Sequence, residues 1–154
     1  MTPQERKTTA MENFMAGYNC AQAVALAFKD IVDIDEKALS RLAAPFGGGM
    51  GRLREVCGAV SAMFMVTGLV YGYDTPETGD KKIELYKKVQ ALAAQVEEKY
   101  GSIVCRTLLG KPAGKEAPVP EQRTPDFYSH RPCTAIIGDA AEILATFIEE
   151  NPVA

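Results

Sequence analysis

Apolar residues recur in this chain with the period of an α-helix, and Gly, Pro and Asn signals cut that pattern into pieces. Val24, Ala27, Phe28 and Ile31 fall at i, i+3, i+4 and i+7, one stripe along one helix face. Leu85, Val89, Leu92 and Val96 form a second stripe. Period-2 alternation, the mark of a half-buried strand, is never sustained. The pattern predicts an all-α fold: a single-domain bundle of about six helices over residues 1–154, a length that ordinarily makes one domain.

Local signals set the expected boundaries. Thr2-Pro3-Gln4-Glu5 is a capping box with proline at the first helical position. It opens a helix to about Ala16 that buries Met11, Phe14 and Met15, with Gly17 as the stop. Asn19 caps a second helix, with Gln22 in the capping-box position. Asp35 caps a short third helix, which carries Leu39 and Leu42 and ends at Pro45. A glycine-rich turn from Pro45 to Arg52 leads into a fourth helix, about Arg54 to Tyr71. Its early residues Gly58, Ala59, Ser61 and Ala62 are small enough to admit a neighbouring backbone. A fifth helix spans about Asp80 to Tyr100, with Glu84 and Lys88 in the favourable i, i+4 order on its polar face. Ser102 is a candidate cap for a short helix, and a last helix runs from about Pro132 to Glu150. Residues 111–131, with Pro112, Pro118, Pro120 and Pro125, form the one long irregular stretch. Loops of that length are ordinarily functional or disordered.

Composition excludes some functions. The net charge of -3 and pI near 5.3 leave no footprint for nucleic acid, whose binders carry domain pI values above about 9. The most apolar stretch, Ala59 to Tyr73, is shorter than the roughly 20 residues needed to cross a bilayer, so membrane insertion is not expected. The N-terminus lacks an apolar secretory core, and the cytoplasm is the expected location. Stable disulfides are uncommon there. An unidentified redox partner and a homodimer are left open.

Chemistry rests on four cysteines. Cys20, Cys57, Cys105 and Cys133 stand 37, 48 and 28 positions apart, yet each falls near an expected helix start. A helix N-terminus carries partial positive charge and free N–H groups, which favour thiolate. That effect is worth roughly 0.3–1 kcal/mol at exposed sites, under one pKa unit. With the basic neighbours Arg106 and Arg131 added to that effect, a pKa near 7 is expected for one or two of the thiols. The lone histidine, His130, is a candidate base or ligand near Cys133. The turn containing Gly49, Gly51 and Arg52 has the composition of an anion cradle without the Lys-Ser/Thr of a P-loop. It reads first as a tight interhelical turn; a functional role would be to let backbone approach Cys57 closely or to let the loop move. No C-x2-C pair is present, so the usual zinc and iron–sulfur spacings are missing. Three readings stay open: redox-active thiols, a four-cysteine zinc or iron–sulfur site, and a helical interaction protein with buried structural thiols.

The runs Gly17-Tyr18-Asn19-Cys20-Ala21-Gln22, Gly47-Gly48-Gly49-Met50-Gly51-Arg52 and Cys57-Gly58-Ala59-Val60-Ser61-Ala62, followed by Cys105-Arg106 and Cys133, resemble the C_GCAxxG_C_C family. The resemblance extends from about Met11 to Leu144 and includes all four cysteines in order. It implies redox chemistry, and so a thiol oxidoreductase as the enzymatic possibility. The chain departs from the family at Ala62, where the CGAxxG element ends in glycine. More distantly it is similar to the helical part of split-Soret cytochromes, whose haem-binding cysteines it lacks. The expected roles are Cys57 as attacking thiolate, Cys20 as its partner, and Cys105 and Cys133 as resolving or relay thiols.

Overall fold

A computed structural model describes residues 1–112 and 114–153. Residue 113, inside the expected irregular stretch, and residue 154 lie outside the described residues. Among the described residues the fold is all-α. Six helices have seven or more residues: α1 (Pro3–Met15), α2 (Cys20–Leu26), α3 (Glu36–Ala43), α4 (Gly58–Tyr71), α5 (Lys81–Tyr100) and, after two shorter ones, α8 (Cys133–Glu150). The shorter pair are α6 (Cys105–Leu108) and α7 (Pro125–His130).

The caps work as the sequence predicts. Thr2 Oγ1 accepts from the Glu5 N–H at 3.1 Å, and Asn19 Oδ1 accepts from the Gln22 N–H at 2.9 Å. Gln22 accepts in return from the Asn19 N–H at 3.2 Å, closing the capping box that starts α2. Each such cap contributes about 1 kcal/mol. Asp35 caps α3 in the same way.

Packing divides into two principal contacts, α1 on α8 and α2 on α4. Val24, Phe28, Val60, Met63, Ile137 and Leu144 between them are fully buried. Each large apolar side chain withdrawn from water in this way contributes roughly 1.5–3 kcal/mol. Small residues at the start of α4 let α2 approach: Gly58, Ala59, Ser61 and Ala62 are all buried. Asp139, on the core-facing side of α8, is held by Lys7 at 3.0 Å, Lys99 at 2.9 Å and the Tyr100 hydroxyl. This carboxylate ties α8 to α1 and to the end of α5, a buried charge cluster that the helical pattern hides.

Several expectations fail locally. Met15 and Leu42 are about half exposed, at 54% and 48%. α2 ends at Leu26, so Ile31 leaves the stripe and is exposed. α4 begins at Gly58 rather than near Arg54, because Arg54 has a left-handed φ of 59° that no α-helix accepts. The stretch 111–131 contains α7, capped by Thr124 and with Pro125 in its first turn. Glu84 pairs with Lys87 at 3.6 Å, while Lys88 lies over the Tyr71 ring. No helix among the described residues is long and apolar enough to cross a membrane.

Candidate four-cysteine site

Four helix starts converge on one cavity. Cys20, Cys105 and Cys133 are the first residues of α2, α6 and α8, and Cys57 is the residue that caps α4. All four are free thiols. All four line a cavity of about 420 Å³.

Two glycines make the convergence possible. A Cβ on Gly58 would fall 2.4 Å from Cys20 Sγ and 2.7 Å from the Phe46 carbonyl oxygen. Only glycine therefore lets Cys20 lie against the residue next to Cys57. Gly49 has φ 68°, and a Cβ there would fall 2.5 Å from Cys105 Cβ. The backbone N–H of Gly48, beside it, acts to lower the Cys20 pKa against the effect of burial. The glycine turn thus lies against Cys20 and Cys105, and its residues line the same cavity as Cys57. Cys57 and Cys105 are joined through a single antiparallel bridge, Val56 with Val104. The Cys57 N–H donates to Ile103 at 2.8 Å, and the Cys105 N–H donates to Glu55 at 2.6 Å.

The turn continues in a run of left-handed residues. Met50, Arg52 and Arg54, none of them glycine, have φ of 68°, 66° and 59°. Such backbone costs of order 1 kcal/mol or more per residue and is concentrated at functional sites. Its effect here is to drive the Arg54 side chain inward, where it is 4% exposed. Arg54 Nε donates to Glu116 Oε1 at 2.7 Å, and Nη1 lies 3.5 Å from Cys105 Sγ. Nη2 is buried with no hydrogen-bond partner among the described residues.

The proline-rich stretch covers the opposite side. Pro118, Pro120, Glu121, Arg123, Phe127 and Arg131 line the cavity there. Glu116 fastens this cover to the glycine turn, pairing with Lys111 at 2.8 Å, Arg54 at 2.7 Å and Arg52 at 3.1 Å. Lys111 foremost, with Arg54, holds its carboxyl down to about 2. Arg123 lies 4.2 Å over the Phe14 ring and donates to the carbonyls of Phe14 and Tyr18, while Arg131 pairs with Glu121.

Burial dominates the thiol electrostatics. Desolvation pushes Cys20 and Cys57 well up from the usual thiol range, against N–H groups that donate to each sulfur. It pushes Cys133 up to about 11 despite Arg131 and Arg54. The expectation that helix starts and basic neighbours bring thiols near 7 fails for these three. An end-of-helix field is worth less than one pKa unit, whereas full burial moves a group by up to about 3–5. The thiols also feel one another. Charge on Cys105 raises Cys20 and Cys133, and charge on Cys20 and Cys133 raises Cys57, so the four sulfurs lie close enough to act on one another.

The other sequence candidates divide. Gly51 and Arg52 line the cavity, and Gly49 backs onto Cys105. Arg106 is not among the lining residues; it pairs with Glu55 at 3.0 Å and donates to the Arg54 carbonyl. His130 also lies outside the lining, with a side chain 74% exposed and paired with Asp126.

A family model described as "Putative redox-active protein (C_GCAxxG_C_C)" matches residues 18–147, a span that contains every element of the cavity except Phe14. The chain belongs to this family. No curated protein and no solved structure matches it. Where the family's CGAxxG element ends in glycine this member has Ala62, and the bundle accommodates the extra methyl fully buried in its core.

Arg54 and Glu116 are the site residues that sequence reading missed. Arg54 stands two positions beyond the glycine turn, and only its left-handed backbone turns it inward. Glu116 is one carboxylate in an irregular stretch, and nothing in its neighbours marks its partners 62 and 64 positions away.

Proposed function

We propose that this protein is a two-electron thiol–disulfide redox protein in which Cys105 attacks and Cys20 resolves. The observation that carries the reading is the guanidinium of Arg54, set 3.5 Å from Cys105 Sγ inside a cavity lined by all four thiols. A charged donor on a sulfur favours its thiolate, the nucleophilic form. The family's redox-active description agrees with this in general terms.

The Cys105 thiolate attacks one sulfur of an oxidised partner's disulfide. A mixed disulfide forms, the partner's S–S bond breaks, and its second sulfur leaves as a thiolate that takes the Cys20 proton. Cys20 then attacks Cys105 Sγ, forms the Cys20–Cys105 disulfide, and releases the partner's first sulfur as a thiolate, which takes a proton from solvent. Two electrons pass to the partner, with one proton from Cys20 and one from solvent. Cys57, the role first expected for attack, stays a thiol because burial holds its proton.

Residue-resolved alkylation by iodoacetamide tests the assignment. Cys105 reacts first, and Cys57 lags by at least about tenfold, the effect of one pKa unit. Fastest reaction at Cys57 returns the attacking role to it and removes the assignment to Cys105.

The same convergence supports a second reading, zinc or an iron–sulfur cluster held by the four cysteines. That reading requires the sulfurs to draw together, since no three Cys, His, Asp or Glu side chains among the described residues are grouped to hold an ion. Iron or zinc near one equivalent per chain after anaerobic purification would establish it.

A further inference from the structure

We infer that the cavity contains a binding site for a small oxyanion, formed around the Arg54 guanidinium beside Cys105. Arg54 is buried at 3% exposure, and two of its three nitrogens are engaged, Nε with Glu116 and Nη1 with the Cys105 sulfur. Nη2 has no partner among the described residues. A buried charged N–H left unbonded is costly, and native structures seldom retain one without a ligand or water to receive it. Arg54 is one of the residues lining the cavity, whose volume of about 420 Å³ exceeds that of a tetrahedral anion several-fold, and Nη2 becomes reachable by a small shift of this side chain. Charge on the lining points the same way. Arg52, Arg54, Arg123 and Arg131 line it against one carboxylate, Glu121. Counting Glu116, which pairs with Arg52 and Arg54, cations still outnumber anions.

With Nε and Nη1 engaged, Nη2 alone is left to donate, and a charged N–H donor is matched by an oxygen of carboxylate, phosphate or sulfate. The ligand class is therefore a compact oxyanion, or a larger substrate presenting one such group. Nη2 would donate to an anion oxygen. Held there, the ligand lies next to Cys105 Sγ, so under the redox reading the site selects substrates that carry negative charge beside the bond the thiol attacks. Binding itself needs no thiol chemistry, and the two readings can fail separately.

Calorimetric titration of the reduced full-length protein with sodium sulfate, at ionic strength fixed by chloride, tests the site. The expected result is saturable one-to-one binding that chloride does not reproduce. In Arg54→Gln it weakens by roughly tenfold or more, the loss of one charge-assisted hydrogen bond. Absence of saturable binding to the wild-type protein overturns the inference, whatever the variant does. Equal binding by wild type and a folded Arg54→Gln overturns it too, since the anion then sits elsewhere.

Discussion

Gly58 shows how much one side chain decides. The space a methyl group would take is occupied by Cys20 Sγ at 2.4 Å and by the Phe46 carbonyl oxygen at 2.7 Å, and the carbonyl is backbone that cannot swing aside. Gly58→Ala is expected to destabilise the fold by about 1–3 kcal/mol, the range for overpacked sites, read as a fall in the urea midpoint at unchanged slope. A variant as stable as the wild type would mean that Cys20 does not lie against this backbone. The thiols carry a second lesson at the same scale. The positions of Cys20 and Cys133 at helix starts were legible, because Asn19 and Pro132 announce them, whereas the expected cap Ser102 does not cap the Cys105 helix, whose cap position is Val104. The balance of fields was not legible, because desolvation depends on what the fold places around each sulfur. It raises Cys20, Cys57 and Cys133, while Arg54, arriving from another segment, is the residue that reaches Cys105.

Long periodic helices were the readable elements, and irregular segments were not. α1, α5 and α8 follow from their stripes and caps because local signals and tertiary packing agree there. The turn through residues 48–54 and the cover from 111 to 131 obey contacts between distant segments: Val56 with Val104, Gly49 with Cys105, Glu116 with Arg52 and Arg54. No sequence period encodes such contacts. The cover is fastened chiefly by Glu116, and this gives it a pH dependence. The folded protein holds this carboxyl at about 2 against an ordinary 4.5. At acid pH the unfolded chain therefore binds the proton more readily, and stability contributed by Glu116 is lost as pH falls from about 4.5 through about 2. Thermal unfolding followed across that window should show a smaller acid loss in Glu116→Gln than in the wild type. Identical profiles would mean that its three ion pairs do not hold the cover in solution.

Taken whole, the bundle brings together four cysteines that the chain keeps far apart. α2 and α4 meet through small residues, α8 closes over α1, and the bridge at Val56 and Val104 brings α6 alongside the start of α4. The all-α fold and the family were both legible in the sequence, since caps, stripes and the four-cysteine motif are local patterns. The shared cavity was not, because convergence belongs to tertiary packing. In the proposed function these thiols act together, with Cys105 and Cys20 as the working pair. Disulfide mapping by mass spectrometry checks this on fully reduced protein treated with one equivalent of a small-molecule disulfide. The expected product is an intramolecular Cys20–Cys105 disulfide, two electrons per chain, fully reversed by dithiothreitol. Four thiols that remain reduced, or that react only as independent mixed adducts, would contradict the proposed function.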